Sequence, residues 1–187
     1  MGATNFETRA PGKTASEAFD NAVQDAIYWH GHEGYSGTIK EKSGFTVFSL
    51  PLNDLPVREY EQERYTTKGR EVVTMKMSTE TRLLNAISWY TTGLYEWNGN
   101  KTVKVDPFAK VTTTTAPHWV KAEDAEAWVA RNEEMNKGWS DDARWFVDKM
   151  GRSKWEQMCE VYDDKWGNAV AIKVGDDEWL FCGMASC

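Results

Sequence analysis

Histidine and cysteine are scarce in this 187-residue chain, with three of each. Cys159, Cys182 and Cys187 are odd in number and lack C-x-x-C spacing, which argues against a disulfide framework and a cysteine-rich zinc site. Any histidine chemistry must start from His30 and His32 or from His118. No apolar run approaches the roughly 20 residues that a bilayer-spanning helix needs. The first residues lack the charged-then-apolar pattern of a secretory signal. The expected compartment is a reducing cytoplasm, with no membrane partner. Net positive charge is missing too: 29 acidic against 22 basic residues leave −7. Such a chain has no general attraction for phosphate backbones, so broad nucleic-acid binding is disfavoured. There is no internal repeat, and no low-complexity tract beyond four threonines at 112–115.

What is present is an ordinary globular composition, 41% hydrophobic and 27% charged, with an unusual ten tryptophans. The length fits one domain, or a compact domain carrying a large insertion. Residues 5–10 alternate like a strand, and Pro11-Gly12 is a turn. Thr14 and Glu17 form a capping box. Behind it Ala15, Ala18, Phe19, Ala22, Val23, Ala26 and Ile27 make one apolar helical stripe, with Gly31 as its exit. Residues 37–50 read as a strand interrupted near Ser43-Gly44, giving a β-α-β start. Residues 51–69 are charged and aperiodic, as in a loop. A strand is expected at 72–77, a helix at 80–91, a hairpin around Asn98-Gly99 and a strand at 111–115. A polar helix over 121–137 should end at Gly138, followed by two short helices capped by Ser140 and Ser153. Residues 169–174 and 178–185 form a terminal hairpin. The fold class is α+β, a mostly antiparallel sheet with packed helices, a β-α-β start and a C-terminal β-hairpin.

The two ends, "MGATNFETRAPGKTASEAFDNAVQDA" with "GHEGYSGTIKEKSGF", and "YDDKWGNAVAIKVGDDEWLFCGMASC", carry a resemblance. They resemble a family of small bacteriophage and actinobacterial proteins with a D-K-W-G-P-A-like turn and an aromatic-rich W-L-F-x-G-x-A-S strand. Asn168 stands where those chains have proline, and Met184 where they have an aromatic. The resemblance covers residues 1–50 and 140–187 as an α+β core and implies a phage-associated role, in the host cytoplasm, without assigning an activity. Residues 51–139 lie outside it and are expected to be an insertion or subdomain.

The candidate chemistry begins in residues 28–37, YWHGHEGYSG. An H-x-H pair can bind a transition metal, but zinc or iron then needs further ligands, and no HExxH or second H-x-H supplies them. The plainer reading makes His30 the end of a helix, where an imidazolium suits the dipole, and His32 a loop residue. The glycines of this segment lead from helix to strand, the wrong polarity for a phosphate-cradling loop. Tyr28, Trp29, His30, His32, Tyr35 and Lys40 could still grip a ligand, with Lys13 and Lys42 as further phosphate contacts. Asp163 and Asp164 could hold a hard metal or act as an acid–base pair, although adjacent residues in a turn usually diverge. Trp166 is expected to pack on the sheet. A Cys182–His32 pair would have to meet in space, and a G-x-S-x-G elbow is missing. Trp89, Tyr95, Trp97, Trp119 and Trp128 are candidate anchors of a protein interface. Each is by default a packing residue.

These observations lead first to a non-enzymatic phage-type accessory protein, which binds a host or phage macromolecule in host takeover or anti-defence. The alternatives are a nucleotide or small-ligand sequestering protein, and a metal-dependent hydrolase using His30, His32 and Asp163 or Asp164. No catalytic residue, resident metal or cofactor is assigned from the sequence.

Overall fold

The computed structural model describes residues 2–66, 69–97, 99–109 and 114–187, without the side chains of Glu63, Tyr65, Thr66 and Trp97. The elements run β1 (Ala3–Pro11), α1 (Ala15–His30), β2 (Phe45–Phe48), β3 (Glu59–Thr66), β4 (Gly69–Lys76) and α2 (Thr79–Gly93). They continue with β5 (Tyr95–Trp97), β6 (Thr102–Lys104), α3 (Ala125–Met150), α4 (Arg152–Asp163), β7 (Ala169–Gly175) and β8 (Glu178–Ser186). The fold is α+β, as four of the five described strand pairings are antiparallel and the last two strands form a hairpin. The chain divides into two compact units, residues 1–51 with 146–187, and residues 52–145.

The first unit is a four-stranded sheet in the order β1-β8-β7-β2. β1 follows the alternation of its sequence, burying Phe6 and Ala10. α1 begins at Thr14, whose hydroxyl accepts from Glu17 N at 3.2 Å. Glu17 reaches back to Lys13 N (2.9 Å), one residue before the capping residue itself. The alanines at 15, 18 and 22 face the sheet and let the helix lie close. Gly12 is part of that approach, because a Cβ there would sit 2.5 Å from Ala18 N. Phe19, Phe45 and Phe181 close this core with centroids 5.3 to 6.0 Å apart. Val170, Ile172, Leu180 and Cys182 alternate to the other face of the sheet and are wholly buried. α4 packs on β7 and β8 through Trp155, Met158, Cys159 and Tyr162, and Phe146 stacks on Trp155 at 5.6 Å. At about 1.5–3 kcal/mol for each fully buried large apolar side chain, these two layers hold the unit together.

Several expectations are corrected in this unit and along α3. The chain does open β-α-β, but α1 carries it from one edge strand to the other, and the β7–β8 hairpin fills the gap. Residues 37–50 are not one strand. Ile39–Glu41 is a single 3-10 turn that buries Ile39, and only Phe45–Phe48 pairs, parallel to β7. α3 passes through Gly138 and Ser140 without a break, and the stop comes at Gly151, at φ 84°. Gly151 also precedes α4, so Ser153 lies inside that helix instead of capping it.

The second unit contains two ribbons, β3–β4 and β5–β6, with α2 and the part of α3 up to Trp145. Residues 59–66 are strand where the sequence suggests a loop. β4 is exposed at six of its eight positions, and a ribbon wet on both faces has no reason to alternate in sequence. Ser78 caps α2, accepting from Thr81 N at 3.1 Å, and Leu83, Ala86, Ile87 and Tyr90 are buried along it. Trp89 and Tyr90 pack on Phe108 (5.6 and 5.4 Å), with Arg144 over its ring. Of the strand expected at 111–115, residues 111–113 lie outside the described residues, and Thr114 and Thr115 belong to no element. Asn98 is outside as well, whereas Gly99 has the positive φ (94°) expected of a hairpin turn.

The centre of this unit is charged. Asp142, 1% exposed, receives Nη1 and Nη2 of Arg58 at 2.9 and 3.0 Å. It also receives Nε of buried Arg82 at 3.1 Å and the Nη2 of the same residue. Arg82 Nη1 donates onward to Pro56 O. Gly138 is explained here: a Cβ on it would lie 2.6 Å from Arg58 Nη1. The residue that looks like a helix stop is the opening through which a guanidinium reaches Asp142.

Candidate binding surface

α1 ends at His30, where Gly31 N donates to Ile27 O (2.8 Å) with φ at 71°. The chain then loops out and returns to the 3-10 turn at 39–41. From this turn and the residue after it, three successive charged residues reach back to hold the surrounding backbone. Lys40 Nζ donates to Gly31 O at 2.7 Å and to Glu33 O. Glu41 Oε1 accepts from Ser36 N (3.1 Å) and Ser36 Oγ (3.0 Å). Burial works to raise the Glu41 carboxyl, but the Ser36 and Tyr35 donors and the Lys40 charge outweigh it and hold the group below its ordinary value. Buried Lys42 donates to Asp164 O at the end of α4. Burial pushes its ammonium down, while Asp164 and Cys182 act the other way. Gly37 N donates to Ser186 O (2.9 Å), and Gly37 has no room for a side chain, since a Cβ would collide with Thr4 Cγ2.

The second segment, residues 163–168, is folded by its own carboxylate. Asp164 Oδ1 accepts from Trp166 N and Gly167 N, each at 3.0 Å, an Asx turn. A Cβ on Gly167 would collide with Asp164 Oδ2. Ser43 N donates to Gly167 O at 3.3 Å, and Asn168 Nδ2 donates to Thr46 Oγ1 at 3.1 Å. Asn168 thus ties the turn to β2 with a donor that proline could not supply. Two segments 125 residues apart in the chain, Ser43 to Asn168, are stitched into one surface.

Four aromatic side chains are exposed on these segments and at the end of α1: Tyr28 (78% exposed), Trp29 (72%), Tyr35 (54%) and Trp166 (49%). They stand as two edge-to-face pairs. Tyr28 meets Trp29 at 5.2 Å, and Tyr35 meets Trp166 at 6.3 Å. Lys165 Nζ lies 5.3 Å from the Trp166 ring. Tyr35 has φ 64° and is the non-glycine residue in the left-handed region among the described residues. A bulky residue there costs on the order of 1 kcal/mol or more, and such strain collects at functional positions.

Of the residues singled out from sequence, Tyr28, Trp29, His30, His32 and Tyr35 are exposed around the end of α1. Lys40 is not directed at a ligand, because its ammonium is engaged by two backbone carbonyls. Lys42 is buried, and Lys13 lies at the other end of the 16-residue α1, about 24 Å away. Among the described residues no three His, Cys, Asp or Glu side chains converge as a metal requires, and the Asp164 carboxylate is occupied by its own turn. Cys182 is wholly buried, with its thiol pushed up by desolvation and then by Glu7, while His32 is exposed, so the two do not meet. Trp166 does not pack on the sheet as expected but stands half exposed. Its sequence signal was the Asp-x-x-Gly turn, which leaves the intervening tryptophan outside the core.

In the second unit Tyr95 and Trp119 are exposed, and Trp119 meets Trp128 edge-on at 6.2 Å. Trp89 is partly covered by Phe108, and the Trp97 side chain lies outside the described residues. A cavity of about 260 Å³ borders the Arg58–Asp142–Arg82 cluster, lined also by Val57 and Trp145. Comparison with protein-family models, curated proteins and solved structures found no match to this chain. No helix among the described residues is long and apolar enough to cross a membrane.

Proposed function

We propose that this protein acts by stoichiometric binding of a macromolecular partner, as a phage-type accessory protein directed at a host or phage protein. The observation that supports this reading is Tyr35, an exposed aromatic ring held at positive φ beside Trp166 on a segment clasped by Lys40 and Glu41. Rigid aromatic side chains at a surface are the usual anchors of protein interfaces, since they bury large areas at little cost in side-chain entropy. The clasp reduces that cost further by ordering the loop before a partner arrives. A phosphate-bearing ligand receives less support, because Lys40 and Lys42 are engaged with backbone carbonyls.

A photo-crosslinking amino acid placed singly at Trp29, Tyr35 or Trp166 tests the reading in infected and uninfected cells. The three positions should capture one common protein, and the exposed Asp176 in the β7–β8 turn should not. Capture that is equal from Asp176, or absent from all three aromatic positions, would overturn the proposal.

A further inference from the structure

We infer that β1 is the interface of a symmetric dimer, in which two copies pair their edge strands antiparallel around a two-fold axis at Thr8. β1 is nine residues long and lies at the edge of the main sheet. It pairs with β8 over its whole length without a register shift. The opposite edge, β2, is a short four-residue strand. Long edges are normally blunted by charged side chains, proline, a bulge or a covering element. β1 has no bulge, and its proline, Pro11, is its last residue, so only its charges stand against pairing with another chain. Those charges are of opposite sign, one exposed acid, Glu7, and one exposed base, Arg9, so they repel a second copy in some registers and attract it in another.

The spacing of these two charges selects the partner and the register. A two-fold axis perpendicular to the sheet pairs residues of the same face, so the allowed registers differ by steps of two. With Glu7 on the axis, the two copies oppose acid to acid. With Arg9 on the axis, they oppose base to base. With Thr8 on the axis, Glu7 of each copy faces Arg9 of the other, twice over, and cross-strand pairs of opposite charge are favourable. The same register sets Phe6 opposite Ala10 of the second copy. Both are buried members of the α1-side core, so the apolar face of the sheet continues across the axis. Within one copy Arg9 meets Glu178 at 3.4 Å, a solvent-exposed contact that costs little to exchange for Glu7 of the second copy. The surface is therefore self-complementary, as an isologous interface must be. It uses no residue of the aromatic surface described above.

Sedimentation velocity of the full chain over a range of concentrations tests the inference. The wild-type protein should dimerise, more weakly at high salt. Glu7→Arg alone and Arg9→Glu alone should each weaken the dimer by about tenfold or more. An equimolar mixture of those two variants should form a heterodimer, and the double variant E7R/R9E should recover self-association. Circular dichroism confirms that each variant is folded, and recovery in the double variant excludes a folding defect as the cause of loss. A wild-type chain that stays monomeric at every concentration, or a dimer indifferent to the charge reversals, would overturn the inference.

Discussion

Each unit has a carboxylate that accepts several hydrogen bonds, and the two lie at different depths. Glu41 of the first unit sits among loop backbone, its donors Ser36 and Tyr35 close by in sequence and near solvent. Asp142 of the second unit is closed off between two guanidiniums that come from 84 and 60 residues away. The first unit is held by neutral layers, with α1 on one face of its sheet and α4 on the other. Its charges are left to shape a surface. The second unit has an ion cluster where a further hydrophobic contact could have been. The same chemical group therefore sets the geometry of a local loop in one unit and the integrity of the whole unit in the other.

The sharpest way to break this comparison is to remove each carboxylate in turn. Asp142→Ala leaves two guanidiniums without their counter-charge and should cost about 3–5 kcal/mol. Urea unfolding measures the loss, and hydrogen exchange should place it in α2 and α3 before β7 and β8. Gly138→Ala comes next in size. Helix propensity alone predicts a gain of about 1 kcal/mol. The added Cβ displaces Arg58, whose charged hydrogen bonds are worth about 1.5–3 kcal/mol, so the net result should be a loss of about 1 kcal/mol. A stabilised Gly138→Ala protein would mean that the Arg58 guanidinium moves aside without losing its bonds to Asp142.

Glu41→Gln should have a smaller effect, confined to faster amide exchange in residues 31–38. Its pH dependence follows from the direction of the shift. A carboxyl lowered in the folded state contributes stability that is complete above its ordinary value of 4.5 and is lost as pH falls through the depressed value. Protection of the loop should therefore be complete from neutral pH down to the ordinary value of 4.5 and fade as the pH falls further, and Glu41→Gln should abolish that dependence.

The same contrast of depth explains what can be read from the sequence. β1 and α1 are legible because each lays apolar residues against one neutral layer, which leaves period 2 or 3.6 in the chain, while β7 and β8, buried on both faces, read as short continuous apolar runs. β3 leaves no period, because its described side chains are all exposed. Gly138 reads as a stop because its reason is Arg58, 80 positions earlier, and no local pattern contains that information. Residues 39–42 resemble strand for a related reason. The three charges that follow Ile39 alternate in sign but are used on groups of the preceding loop and at the end of α4. For the candidate surface, Tyr28, Trp29 and Tyr35 are legible as a cluster. Trp166 is not, because only the folded Asx turn brings it beside Tyr35.

On the proposed reading Tyr35 is strained in order to be presented, and Tyr35→Asn separates that role from a packing role. Asparagine accepts the left-handed backbone more easily, and the lost ring contact with Trp166 is worth about 0.5–1.5 kcal/mol. Urea unfolding of this variant should stay within about 1 kcal/mol of wild type. Capture through a crosslinker at Trp29 should meanwhile fall by about tenfold or more, as loss of an interface anchor implies. A fall in stability of about 2 kcal/mol or more with capture unchanged would instead make Tyr35 a packing residue.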